Sequence, residues 1–144
     1  MGIETLHLID YFDRYASMLT VFDAEGAAEL WATPGMIVDD RFSGVLESHD
    51  MMIEGLEQSY PLYQRLGLAS VRYDIVDENH LTDSLVLVRV RWIFLDAGGD
   101  ELTDSTNYYL LRSEERGLRA CVCIETDSAE KLQALMAERG IDPT

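Results

Sequence analysis

From Ser84 to Phe94 the chain alternates strictly: Val86, Val88, Val90, Trp92 and Phe94 interleave with Leu87, Arg89, Arg91 and Ile93. Period-2 alternation of this length demands a long strand with one dry face and one mixed face. Three further strand-like runs, 68–76, 101–112 and 118–126, lie around it. All four follow helical segments that enclose a short strand pair. That order predicts an α+β chain in which a curved antiparallel sheet wraps over helices and leaves a hollow beneath.

The helical period opens the chain. Leu8, Phe12, Tyr15, Leu19 and Phe22 recur at spacings of four and three, which predicts a helix over 3–22 with one apolar stripe. Asp23 can cap a second, short helix running through Trp31 and stopped by Thr33-Pro34-Gly35. Met36 to Asp40 and Phe42 to Leu46 read as a brief strand pair. Ser48 is a good N-cap for a third helix, with Asp50 in its first turn and Met52, Ile53, Leu56 and Tyr60 on its buried side. Pro61 has no N–H to continue that ladder, so a kink or restart is expected there, with the helix ending before Gly67. Turn signals at Asp77-Glu78-Asn79-His80, Ala97-Gly98-Gly99-Asp100 and 114–117 separate the four long strands.

Asp127 with Glu130 resembles a capping box for a last helix over about 128–139, striped by Ala129, Leu132, Leu135 and Met136. Gly140 suits the C′ position, with Ile141 placed for the accompanying apolar contact and Pro143 just beyond. No repeat or linker breaks the pattern. The reading is a single domain over 1–144, with a core of about 3–126 and the last helix added to it.

Eleven basic against twenty-seven acidic residues give a net charge of −16. Such a charge repels phosphate backbones and anionic headgroups, which argues against nucleic-acid and membrane-surface roles. Cys121 and Cys123 sit two apart in a strand-like run, so both are expected on one face as packed thiols rather than as a disulfide. His7, His49 and His80 have no zinc-like spacing with them, and neither metal nor cofactor is expected. The absence of a basic-apolar leader and of a membrane-length apolar run makes a cytoplasmic location the expectation.

Helix, short helix, strand pair, helix and four long antiparallel strands resemble the NTF2-like superfamily. This is the cystatin-like cone shared by SnoaL-like proteins and ketosteroid isomerase. The residues carrying the likeness are the Phe22-Asp23-Ala24-Glu25 junction, the Met36-Ile37-Val38-Asp39-Asp40 strand and the ladder from Val71 to Thr126. The resemblance implies a pocket between the concave sheet face and the first and third helices, and a homodimer built on the sheet's outer face.

Carried over residue by residue, the ketosteroid isomerase pattern makes Tyr15 the oxyanion donor and Asp40 the general base. The family's third element, an aspartate deep in the penultimate strand, is met here by Asn107, Tyr108 and Tyr109, of which Asn107 or Tyr108 could donate a hydrogen bond. Epoxide hydrolase-like members use an Asp-Arg-Asp set, and Arg89 and Arg91 have no aspartate two residues away. Dehydratase-like members need interior histidines, which the three His positions do not offer.

Aromatic residues expected to line the pocket are Tyr11, Phe12, Tyr15, Trp31, Tyr60, Tyr63, Trp92 and Tyr108. The mixed sheet face, with Leu87, Arg89, Arg91, Arg119, Cys121, Cys123 and Glu125, suits a dimer interface in which Arg pairs with carboxylates, the alternatives being cover by the last helix or plain exposure. The leading functional expectation is a homodimeric pocket protein that holds a small, largely apolar ligand without turning it over. Two alternatives stand beside it: an isomerase or cyclase using Asp40 and Tyr15, and a structural subunit of a larger complex.

Overall fold

The computed structural model describes residues 2–141; Pro143 lies outside them. Four helices and six strands follow in the order α1 (Thr5–Thr20), α2 (Ala24–Ala28), β1 (Trp31–Val38), β2 (Ser43–Leu46), α3 (His49–Arg65), β3 (Ser70–His80), β4 (Leu85–Leu95), β5 (Glu101–Glu114), β6 (Gly117–Glu125) and α4 (Ser128–Arg139). The strands form one sheet in the order β2-β1-β6-β5-β4-β3. Its four long strands are antiparallel, as their hairpin turns dictate. β1, however, runs parallel to β6, so the sheet is mixed rather than wholly antiparallel.

The short strand pair is the main departure from the sequence reading. The second helix ends at Ala28, and Trp31 begins a strand that continues through the Thr33–Pro34 cis peptide to Val38. The residues read as a helix stop are an irregular stretch inside β1. The ladder to β6 jumps from the Trp31/Ala120 pair to the Met36/Val122 pair, and Pro34 falls in that gap, where its missing N–H costs no inter-strand bond. Gly35 leaves room for the Trp31 ring, since a Cβ there would lie 2.7 Å from it. Further along, α3 crosses Pro61 as one helix without a restart and ends at Arg65, capped at its start by Ser48 Oγ accepting from the Met51 N–H.

The core lies between α1 and the concave face. Leu8, Tyr11, Phe12, Tyr15 and Ala16 of α1 pack on Val86, Val88, Val90 and Trp92 of β4 and on Tyr109 and Leu111 of β5. Phe12, Val86, Val88 and Val90 are completely enclosed. Each such side chain contributes about 1.5–3 kcal/mol through burial. A second, smaller cluster joins Leu66 at the end of α3 to Leu135 and Met136 of α4, and so docks the last helix beside the open end of the cone.

One irregularity decides what faces inward. In the β5–β6 ladder Leu110 pairs with Val122 and Leu111 with Ala120, leaving Cys121 unopposed. An extra residue reverses the inside–outside alternation beyond it. Cys123 therefore packs in the core and Glu125 turns inward, while Cys121 remains half-buried outside. The expectation that both cysteines and Glu125 share the mixed face is corrected accordingly.

Candidate functional site

A cavity of about 280 Å³ opens between the sheet, α1, α3 and α4. α1 gives it Tyr15 and Leu19, α3 gives Leu56, Tyr60 and Tyr63, and the sheet gives Val71, Trp92, Phe94 and Tyr109. α4 closes one side with Ser128, Lys131 and Leu132. The volume is at the small end of the roughly 300–1,000 Å³ of ordinary ligand sites, and the walls are chiefly apolar.

Two indole–phenol pairs stiffen the floor. Trp31 Nε1 donates to Tyr15 Oη at 2.9 Å, and Trp92 Nε1 donates to Tyr109 Oη at 2.9 Å. Because indole can only donate, the Tyr15 oxygen is committed as acceptor and its own O–H is left to donate. Burial, offset in part by the Trp31 N–H, pushes the Tyr15 phenol well above its ordinary range, so it stays protonated at neutral pH.

The polar groups cluster at one end. Asn107, buried in β5, accepts from Ser128 Oγ at 3.1 Å and reaches Tyr109 Oη with its amide nitrogen at 3.5 Å. Directly opposite in the ladder stands Glu125, half-buried, with no hydrogen bond or ion pair among the described residues. Loss of water raises its carboxyl above the usual range, and repulsion from Asp39 adds to the effect. Lys131 also lines the cavity, but its ammonium is held by Asp104 at 2.7 Å, which binds Arg91 at the same distance.

Two features of the wall are costly for the fold alone. Phe22 follows α1 at φ +56°, at the C′ position of a Schellman turn in which its N–H bonds Leu19 O and the Asp23 N–H bonds Met18 O. That position normally takes glycine, and a bulky residue there costs about 1–3 kcal/mol. The strain places the Phe22 ring in the cavity wall, edge-on to Tyr60 with centroids 4.9 Å apart. The Tyr60 hydroxyl oxygen is itself enclosed and has no hydrogen-bond partner among the described residues. Both features sit on the same side of the cavity, where the turn after α1 meets α3.

Of the residues expected here, Tyr15, Tyr60, Tyr63, Trp92 and Asn107 do meet in the cavity. Tyr11 and Phe12 are core residues below it, with Tyr11 donating to Leu30 O at 2.7 Å, and Trp31 acts from behind through Tyr15. Tyr108 is on the outer face opposite Arg89, whose guanidinium lies 5.8 Å from its ring; Tyr109 takes the inner place instead. Asp40 lies past the end of β1, exposed, and lines a rim hollow with Asp39, Arg41 and Glu130 that shares Glu125 and Ser128 with the cavity. The structure does not bring it to Tyr15.

Among the cavity residues that sequence reasoning left out, Glu125 and Tyr109 bear most on its chemistry. Strict alternation from Leu118 would point Val122 and Ile124 inward, and nothing in the residues announces the extra position at Cys121. Tyr108-Tyr109 and Leu110-Leu111 are doublets that carry no parity of their own. Among the described residues, no group of three or more His, Cys, Asp or Glu is placed to hold a metal ion, and no helix is long and apolar enough to cross a membrane.

Comparison with known proteins agrees with this geometry. The family model described as NTF2-like protein (DUF6841) matches residues 6–128, which leaves all of α4 but its first residue outside it. An NTF-2 like protein of unknown function from Shewanella oneidensis superposes with a TM-score of 0.70 at 12% identity, over 87% of this chain and 100% of that one. A domain of unknown function with a cystatin-like fold from Nostoc punctiforme gives 0.68 at 12% identity, covering 98% and 90%. A ketosteroid isomerase-like protein from Erwinia carotovora atroseptica gives 0.64 at 14% identity, covering 88% and 97%. Likeness at such identities is a likeness of fold. No protein with a curated description matches the sequence.

Proposed function

The chain belongs to the NTF2-like protein family (DUF6841), and from that premise we propose that it is a pocket protein binding a small, largely apolar ligand. The observation that carries this reading is the unsatisfied wall. A strained Phe22, an orphaned Tyr60 hydroxyl and an unpaired Glu125 all border one apolar cavity. Glycine, phenylalanine and an apolar residue at these three positions would each favour the fold, so stability is forgone around a single cavity, which supports a binding role. A thermal-shift screen of small apolar compounds tests it. Binding at a hundred times the dissociation constant adds about 2.7 kcal/mol, so a true ligand raises the melting temperature clearly. A broad panel that leaves it unchanged counts against the reading.

Self-association through the outer sheet face is part of the proposal. Val45, Met36, Val122, Leu110 and Leu87 are successive ladder partners, an apolar row crossing five strands from β2 to β4. Beside it Arg89 covers Tyr108. Light scattering on the purified protein is expected to give twice the 16.3 kDa of one chain, and Val122→Asp to give that mass alone. A wild-type monomer at tens of micromolar removes the dimer from the reading.

A second reading, proton transfer on a bound carbonyl compound, is favoured by one observation: Tyr15 and Glu125 border the same cavity. In it Glu125, not Asp40, moves the proton while the Tyr15 O–H stabilises the enolate. Solvent deuterium exchange into an enolisable ketone, lost in Glu125→Gln, distinguishes it from simple binding.

A further inference from the structure

We propose that the ligand class is a small aromatic or alicyclic amine, bound as its ammonium ion against Glu125 with its hydrocarbon body among the aromatic walls. The inference rests on the pocket reading above and names what fills it. Glu125 is the one cavity carboxylate without a partner among the described residues: Asp104, the other, is held by Lys131 and Arg91. Among the described residues Lys131 is the only basic one lining the cavity, and it is thereby spent. An unmatched, partly desolvated carboxylate disfavours an anionic ligand outright. A neutral ligand would strip its remaining water and return at most an uncharged donor's hydrogen bond. A cation restores it.

The surroundings favour the same charge. The rim hollow next to Glu125 carries Asp39, Asp40 and Glu130 against Arg41 alone. The chain's net charge of −16 draws cations and repels anions at long range. Tyr15, Tyr60, Tyr63, Trp92, Phe94 and Tyr109 supply the electron-rich ring faces that attract ammonium groups. Ser105 and Asn107, both lining the cavity, add side-chain oxygens that can accept from N–H donors.

The test uses two sets of matched probes: 2-phenylethylamine, 2-phenylethanol and phenylacetate, then tryptamine, tryptophol and indole-3-acetate. Binding of each to the purified protein is measured by calorimetry at pH 7 and low salt. The expected result is amine over alcohol by at least about 10-fold on one or both scaffolds, with the carboxylates weakest. In Glu125→Gln the amine and alcohol should bind equally, with alcohol binding retained. Alcohols binding as tightly as amines on both scaffolds, or a preference that survives Glu125→Gln, overturns the cation inference and leaves the pocket reading intact. If no probe of any charge binds on either scaffold, pocket and inference fall together.

Discussion

Asn107 and Glu125 stand directly opposite each other across the β5–β6 ladder, and only the unopposed residue at Cys121 makes them neighbours on the inner face. One extra residue thus converts an exposed strand-end glutamate into a cavity carboxylate. The same step turns Cys123 from outer surface into core.

Glu125 should therefore make stability fall with rising pH over a defined window. Its folded-state carboxyl titrates above the ordinary value, chiefly through desolvation. The penalty on the ionised form is absent below about pH 4.3 and grows as pH rises through that value toward the folded one. It then persists at neutral pH. Glu125→Gln removes it, so the variant is expected to resist urea better than wild type at pH 7 and equally at pH 4. Solvent reaching the half-buried group screens the penalty and keeps the gain modest. A variant less stable at pH 7 would mean Glu125 has a stabilising partner after all.

Tyr15→Phe tests the indole–phenol pair. Removing the oxygen leaves the buried Trp31 N–H without its acceptor at 2.9 Å. Orphaning such a donor costs about 1–3 kcal/mol, measurable as a lower urea midpoint with unchanged slope. Tyr109→Phe should behave alike through Trp92. If both substitutions are neutral, the phenols contribute packing alone.

The cone itself was legible because its evidence is periodic. The alternation at 84–94 and the α1 stripe each repeat often enough to fix a face, and Val86, Val88, Val90 and Trp92 are buried as that pattern requires. What escaped are single-residue events. A bulge at Cys121, a strand running through Thr33-Pro34-Gly35, and the choice between Tyr108 and Tyr109 are settled by pairing across strands. Pairing is a long-range outcome that no local window contains. Asp40 is a related case: β1 ends at Val38 rather than at Asp40, which leaves Asp40 beyond the strand and exposed.

Thiol labelling reads the bulge directly. Cys123, enclosed beside Tyr109, has its thiol pushed up to about 12 by burial. At pH 8 only roughly one part in ten thousand is thiolate. Cys121 is half-buried on the outer face and less constrained. Native protein should therefore release one equivalent with a disulfide reagent, and denatured protein two. Two rapid equivalents from the native state would place both cysteines outside and restore strict alternation.

The hold of α4 on the cavity should weaken in acid. Asp104 has its carboxyl lowered, first by the Lys131 hydrogen bond and then by that of Arg91. A lowered folded value means that its contribution is complete above the ordinary Asp value of about 3.9 and is lost as pH falls below it, toward and through the folded value. Asp104→Asn makes that loss permanent. Exchange of α4 amides, followed by mass spectrometry at pH 7, is expected to quicken a few-fold, the order of a partly exposed ion pair. Amides of β4 should stay unaffected. The Leu66–Leu135–Met136 contact keeps the helix docked but not clamped, so the wall formed by Leu132 opens more often. Equal α4 exchange in both proteins would show that the apolar contact alone holds the helix.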